Sequence, residues 1–257
     1  MNLISIIINC HNGEKFLEKS LESVFNQTYT NWEIIFLDNC SNDKSSEVLQ
    51  KFDDERIKYY KTDNLVDLYR ARNLAVEKCN GNYISFLDTD DLWRPDKLEK
   101  QIIFLKNNRQ FKIVYSNYYV LKNEKKKLKH KINLPSGFIT QELLDYYSIG
   151  ILTVLLERDI FKKNKFNDEY NIIGDFDFFI KLSQEFEIGS IQEPLAVYRL
   201  HENNFSSRKV DIYKEELHQW INLNEKNLYL SKYSLVKQKI LLHKLKIKYF
   251  FKKLFKF

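Results

Sequence analysis

The chain has 257 residues, 44% hydrophobic and 15% aromatic, with six Gly and three Pro, enough apolar material for one large folded domain or a domain with an appendage. Cys10, Cys40 and Cys79 are odd in number and widely spaced, with no CxxC or His pairing. This argues against a disulfide framework and a zinc site and fits a reducing cytoplasm. No basic n-region opens the chain and no apolar run nears the ~18 residues that span a bilayer, so neither a signal peptide nor a transmembrane helix is expected. The net charge of +6 is uneven: Lys226 to Phe257 holds ten Lys and no acid, which leaves the preceding residues at −4.

Leu3 to Ile8 is a continuous apolar, β-branched run, as expected of a strand buried on both faces of a parallel sheet. Asn9-Cys-His-Asn-Gly13 follows as a loop. From Glu14, residues Phe16, Leu17, Leu21, Val24 and Phe25 share one helical face. Trp32 to Leu37 is a second strand, ending at Asp38-Asn-Cys-Ser-Asn-Asp43, which suits a turn and helix cap. A helix then runs through Val48, Leu49 and Phe52. Ile57 to Tyr60 is a third strand and Leu65 to Cys79 a third helix, stopped by Asn80-Gly81.

Tyr83 to Leu87 is a fourth strand that runs straight into Asp88-Thr-Asp-Asp91. Clustered like charges repel unless a cation sits among them, so this corner reads as a divalent metal site. A solvated acidic turn capping the helix that begins near Pro95 is the competing reading. Strands alternating with helices imply right-handed crossovers and a mainly parallel sheet, whose ligands lie beyond the carboxyl ends of the strands. Three of these strand ends present Asn9 to Asn12, Asp38-Asn39 and Asp88 to Asp91, so a shared pocket is expected.

A helix continues through Leu98, Ile102, Ile103 and Leu105. Lys112 to Leu121 reads as one or two strands, and Glu124 to Lys131, with five Lys and His130, as a solvated loop. Gly137 to Tyr147 suggests a loop and short helix, Ile151 to Leu156 a strand, and Phe166 to Gly174 a loop. Asp175-Phe-Asp-Phe-Phe-Ile-Lys-Leu182 starts a helix. Pro194 to Leu200 is another strand, followed by His201-Glu-Asn-Asn-Phe-Ser206.

Five segments together resemble the family 2 glycosyltransferases, GT-A fold enzymes that use nucleotide-diphospho-sugars. They are Ser5-Ile-Ile-Ile-Asn-Cys-His-Asn12, Ser23-Val-Phe-Asn-Gln-Thr-Tyr-Thr-Asn-Trp-Glu33, Ile34-Ile-Phe-Leu-Asp-Asn-Cys-Ser-Asn-Asp43, Ala71-Arg-Asn73 and Gly81-Asn-Tyr-Ile-Ser-Phe-Leu-Asp-Thr-Asp-Asp-Leu-Trp93. The resemblance covers roughly residues 2 to 207. It implies an α/β GT-A fold: a mainly parallel, Rossmann-like sheet flanked by helices, with a nucleotide-binding half (1–95) and an acceptor-binding half (96–207). It further implies that Asn9, Cys10, His11, Asn12, Asp38 and Asn39 hold the base and ribose, with Asp88, Asp90 and Arg72 also at the nucleotide. A diphosphate-bridging Mn²⁺ or Mg²⁺ would sit at Asp90, Asp91 and His201, the last in the closing segment Tyr198-Arg-Leu-His-Glu-Asn-Asn-Phe-Ser206.

Expelling a nucleoside diphosphate calls for a cation on its oxygens, and deprotonating the incoming hydroxyl calls for a carboxylate across the sugar. In the family that base comes from a Glu-Asp pair opening a helix, and Asp175 occupies the Asp position; a helix N-cap is its alternative reading. The chain departs from the family in Gly174, where the Glu is expected, in Asn39, where many members have Asp, and in Cys10-His11. The expected activity is an inverting transfer to an acceptor hydroxyl of a lipid-linked surface glycan. A catalytically weak sugar-nucleotide-binding protein is the rival, and a nucleotidyltransferase would carry a Gly-rich basic loop that Asn9 to Gly13 lacks.

Residues 208–257 read as a helical tail. From Leu235 onward Lys alternates with Ile, Leu and Phe, a basic amphipathic helix suited to an anionic membrane surface. Packing on its own domain or a partner, and non-specific nucleic-acid contact, are the other readings. The favoured expectation is a cytoplasmic enzyme, peripheral on the inner face of the membrane, with no specific nucleic-acid partner.

Overall fold

The computed structural model of the protein describes residues 2–202, 204, 209–226 and 230–254. Asn203, Phe205 and Ser206 of the closing segment, with Phe255, Lys256 and the side chains of 251–254 in the tail, lie outside the described residues.

The first half forms as the apolar runs dictate. Strands β1 (Ile4–Cys10), β2 (Trp32–Asp38), β3 (Ile57–Lys61) and β4 (Tyr83–Phe86) alternate with helices α1 (Glu14–Phe25), α2 (Ser45–Gln50) and α3 (Leu68–Val76). All pairings among these strands are parallel, with Ile7 in register with both Ile35 and Phe86. The side-chain period of two divides β1 between two cores. Ile4, Ile6, Ile8 and Cys10 pack with Leu17, Leu21 and Val24 of α1. Ile7 packs on the other face with Leu37, Phe86 and Ala71 and Ala75 of α3.

The second half comprises β5 (Leu92–Trp93), α4 (Lys97–Asn107), β6 (Ile113–Lys122), β7 (Lys125–Leu128), α5 (Thr140–Asp145), β8 (Leu155–Glu157), α6 (Gly174–Glu185) and β9 (Ile188–Arg199). It extends the sheet to the order β3-β2-β1-β4-β8-β6-β9-β5, with β7 paired to β6. β8 runs antiparallel to both neighbours and β5 antiparallel to β9, whereas β6 and β9 are parallel. The parallel order expected from the sequence therefore holds in the first half, and the whole sheet is mixed.

Three local outcomes differ from expectation. Ile151–Thr153 turns as a 3-10 helix before β8, because the Thr153 N–H and hydroxyl both bond the Gly150 carbonyl. The Lys-rich loop is a β6–β7 hairpin, turned by Asn123 and Glu124 in left-handed conformation. Its strand is exposed throughout, so no apolar alternation marks it. β9 begins six residues before Pro194, which sits past a register shift where its missing N–H disturbs the ladder least.

The tail forms α7 (Val210–Glu225) and α8 (Val236–Leu254). Leu217, Trp220 and Ile221 of α7 and Leu235, Leu242 and Leu245 at and within α8 join the core that contains Phe178 and Phe179 of α6. Each such side chain, fully buried, stabilises the fold by roughly 1.5–3 kcal/mol. Gln238 donates to the Leu144 carbonyl at the end of α5. One stripe of α8 is thus committed to the body of the protein.

Candidate functional site

The loops after β1 and β2 are tied together before any ligand is considered. Asn12 and Cys40 adopt left-handed backbone conformations, φ 57° and 56°, which fold the two loops toward each other. The Asn39 N–H donates to the Cys10 carbonyl (2.7 Å) and His11 Nδ1–H to the Asn39 carbonyl (2.8 Å). The Asn12 N–H bonds Ser41 Oγ, its Oδ1 accepts from the Asn42 N–H, and the Gly13 N–H bonds Ser45 Oγ. His11 and Asn12 remain exposed at the rim.

Other residues expected at the nucleotide are spent inside this frame. Cys10 is fully buried under Gly13, where it accepts from the Ser41 hydroxyl, and burial pushes its thiol pKa up. It supports the loop and lines no open surface. Asn39 donates to the Val66 carbonyl and accepts from the Val66 N–H and the Thr62 hydroxyl, so its amide pins the chain entering α3. Asp38 accepts from the Ser41 N–H and from Tyr59, whose hydroxyl burial and that carboxylate push up to about 12. Asn9, on the α3 face of the sheet, has both amide atoms buried with no partner.

The acidic turn is clamped from three sides. The Ser20 hydroxyl of α1 contacts the carbonyls of Asp88 (3.1 Å) and Asp91 (2.7 Å). Arg72 of α3, itself buried, binds both carboxylate oxygens of Asp88 at 2.8 and 3.2 Å. From the end of β9, Arg199 gives its backbone N–H to Asp91 Oδ1 and its guanidinium to the carbonyls of Asp90, Phe16 and Thr89. His201, stacked on Phe16 at 4.5 Å, donates to Asp90 Oδ2 at 2.9 Å, and Asn204 Nδ2 reaches the same oxygen at 3.1 Å.

This arrangement separates the three carboxylates. Asp91, expected as a metal ligand, is only 1% exposed and holds the turn to β9, so that expectation is corrected. The side chains of Asp88 and Asp90 stay 34% and 24% exposed. Burial, then the neighbouring Asp88, pushes the Asp90 carboxyl above its usual range against the bond from His201. Burial and both neighbours push Asp91 much further up. Among the described residues no three His, Cys, Asp or Glu side chains converge to hold a metal. Two partly exposed hard-oxygen donors nonetheless fit a Mg²⁺- or Mn²⁺-type ion that completes its shell with water and phosphate oxygens.

Asp175 lies in the first turn of α6, where the helix dipole favours an anion; Ile173, not Asp175, is the N-cap. Its Oδ1 accepts from the Tyr69 hydroxyl at 3.0 Å and its Oδ2 from Tyr147 at 3.4 Å. Burial raises its pKa, against the nearby Arg72 guanidinium. Arg72 thus bonds the acidic turn and lies close enough to the α6 carboxylate to act on its charge. Gly174 has a packing reason: a Cβ there would lie 2.4 Å from the Tyr69 ring. A Glu at 174 and Tyr69 in this position exclude each other.

Tyr69, Tyr147 and Arg199 were not among the residues singled out in the sequence. Tyr69 and Arg199 had a usable signal, since each lies close in the chain to a residue that was: Tyr69 three before Arg72, Arg199 two before His201.

The sequence model of Glycosyl transferase family 2 matches residues 5–182. The chain is 34% identical over 221 residues, 85% of its length and 84% of the relative's, to the Escherichia coli UDP-Glc:alpha-D-GlcNAc-diphosphoundecaprenol beta-1,3-glucosyltransferase WfgD. It is 31% identical over 209 residues, 80% and 82% of the two chains, to the putative teichuronic acid biosynthesis glycosyltransferase TuaG of Bacillus subtilis. The fold is similar to S. aureus TarS 1-349 in complex with UDP-GlcNAc, with a TM-score of 0.71 at 16% identity over 86% of this chain and 67% of that one. It is also similar to the Pyrobaculum calidifontis mannosyltransferase PcManGT in complex with GDP-Man and Mn2+, with a TM-score of 0.66 at 12% identity over 93% and 69%. These likenesses do not support the weak-binding-protein rival. With its parallel first-half sheet, its acidic strand end and a match running from β1 into α6, the chain belongs to glycosyl transferase family 2.

Proposed function

We propose that this glycosyltransferase moves a sugar from a nucleotide-diphospho-sugar to a hydroxyl of a lipid-linked glycan, with inversion at the anomeric carbon and Asp175 as base. The observation that carries this reading is one buried carboxylate, Asp175, held by Tyr69 in the field of the same Arg72 that bonds the acidic turn. As the acceptor oxygen bonds to the anomeric carbon, the bond from that carbon to the diphosphate breaks on the opposite side. The acceptor proton passes to Asp175 and the electron pair leaves with the nucleoside diphosphate. A Mn²⁺ or Mg²⁺ held by Asp90, with Asp88 beside it, would stabilise the charge that develops on the diphosphate. His201 and Asn204 orient Asp90, and Arg72 sets Asp88 and adds positive charge nearby. His11, Asn12, Asp38 and Asn39 frame the base and ribose, with Asn9 facing inward beneath them.

A relative named for a diphosphoundecaprenol acceptor and the character of α8 support a membrane-borne acceptor. Opposite its docked stripe, α8 carries Val236, Ile240, Ile247 and Phe250, all exposed, between Lys237, Lys244 and Lys248 on one side and Lys239 and Lys246 on the other. No described helix is long and apolar enough to cross a membrane. An outward apolar stripe flanked by lysines suits lying on an anionic leaflet, and this supports a working position on the inner face of the cytoplasmic membrane.

The test is a panel of UDP-, dTDP- and GDP-sugars offered with polyprenyl-diphosphate-sugar acceptors, with Mn²⁺ or Mg²⁺ and after chelation. Transfer that requires the ion and disappears in Asp175→Asn is the expected result. Transfer at the unaltered rate in Asp175→Asn would overturn the assignment of the base.

A further inference from the structure

Helix α7 lies beyond the segment matched to the family, yet it reaches directly to the start of α6. Glu216, 6% exposed, accepts three successive backbone N–H groups: Asn171 at 2.6 Å on Oε1, and Ile172 at 2.9 Å and Ile173 at 3.1 Å on Oε2. Consecutive amides converging at a helix N-terminus form an anion-binding cradle, and here the chain's own carboxylate fills it. Ile173 is the N-cap of α6. The Ile172 carbonyl lies 3.1 Å from the Tyr69 hydroxyl that also bonds Asp175.

Four residues further along α7, on the same face, Trp220 donates its Nε1–H to Asp177 Oδ1 at 2.9 Å. Its ring meets Phe176 edge-on at 4.8 Å, and Phe176 in turn meets Tyr147, whose hydroxyl reaches Asp175. The chain is therefore held by α7 just before Asp175, through Glu216, and just after it, through Trp220. A helix that served only as a cover would need apolar contacts. A buried carboxylate aimed at three amides fixes a backbone position.

We infer that Glu216 is a positioning residue for the carboxylate of Asp175, with Trp220 as its second anchor. The inference rests on Asp175 being the base. The hydrogen bonds of both go to residues 171–173 and 177 around the start of α6, so donor binding should be independent of both.

The experiment compares Glu216→Gln, Trp220→Phe and Asp175→Asn in the full chain by steady-state transfer, a pH profile of kcat and nucleotide-binding stoichiometry. In Glu216→Gln an amide NH₂ faces backbone donors, and the segment before α6 loosens. A base displaced by an ångström costs up to about 10²-fold in rate. The expected result is a large fall in kcat with donor KM and one nucleotide per chain unchanged. The acid limb of the profile should move to lower pH as water reaches Asp175. Trp220→Phe, which keeps the ring packing, should show the same pattern more weakly and serves if Glu216→Gln does not fold. The inference is overturned if Asp175→Asn abolishes transfer while the folded variants keep the kcat and pH profile of the parent. It is equally overturned if any kcat loss merely tracks lost nucleotide stoichiometry. Unchanged transfer by Asp175→Asn would instead sink the base reading, and this inference with it.

Discussion

The ring of Tyr69 occupies the space in which a side chain at Gly174 would begin, while its hydroxyl holds Asp175 at 3.0 Å. A Glu at 174 would need the space that the ring fills, and the phenol holds the Asp175 carboxylate from α3 instead. Gly174→Ala should push the ring aside, costing about 1–3 kcal/mol of stability as overpacking does, together with most of the activity. Tyr69→Phe keeps the ring and removes only the donor. Because that hydrogen bond lowers the Asp175 pKa, its loss should move the acid limb of kcat to higher pH, the direction opposite to that expected for Glu216→Gln. A pH–rate profile of the two variants checks both signs.

Asp175 should also carry a stability cost. Its carboxyl has a folded pKa raised above the unfolded value, chiefly by burial. The native state then binds the proton more tightly, and stability falls as pH rises from the unfolded pKa through the folded one. The penalty is present in full above the folded pKa. Asp175→Asn, which cannot ionise, should therefore melt higher than the parent at pH 7.5, by about 2–4 °C for each kcal/mol recovered at this chain length. The gain should vanish below the unfolded carboxyl range. A variant that lost both stability and activity would show that the carboxylate is more favourably held than its burial suggests.

The first half of the fold was legible because strands buried on both faces read as unbroken apolar runs, and strand ends in such sheets converge. Within the site, legibility stopped where side-chain direction began to matter. Cys10 follows Ile8 by two positions on a strand that runs to Cys10 itself, so the same alternation that buries Ile4, Ile6 and Ile8 buries it too. Ending the strand at Ile8 concealed that. Asn39 and Asp91 are polar residues spent on backbone groups of Val66 and Arg199, 27 and 108 positions away, and no local pattern announces such partners. Glu216 likewise binds amides 43 to 45 residues upstream.

Arg199 binds the acidic turn through a fork that Lys cannot reproduce. Its guanidinium spans the carbonyls of Asp90, Phe16 and Thr89, whereas an ammonium would satisfy at most part of that set. Arg199→Lys retains the backbone N–H to Asp91, so the fold should survive. The turn that presents Asp88 and Asp90 should loosen. We expect nucleotide affinity in the presence of Mn²⁺ to fall about tenfold, which corresponds to the loss of one charge-assisted hydrogen bond. Calorimetric titration with nucleoside diphosphate measures this, and an unchanged Kd would show that the turn is set without the guanidinium.

Helix α8 presents two apolar stripes with different fates, and substitutions on each should separate folding from attachment. Leu242 and Leu245 are buried against the body, so Leu242→Asp should lower the melting temperature. Ile240 and Ile247 point outward between lysines. Replacing both with Asp removes apolar area that would enter the bilayer and sets two negative charges against an anionic surface that attracts each Lys by about 1 kcal/mol. Binding to phosphatidylglycerol vesicles in a flotation assay should be lost, while melting temperature and hydrolysis of soluble donor stay as in the parent. Because the lysines act through a screened field, binding of the parent should also weaken as salt rises from 0.05 to ~0.5 M. Vesicle binding that survives the double substitution would leave α8 as a packing helix alone and would move any membrane contact elsewhere on the protein.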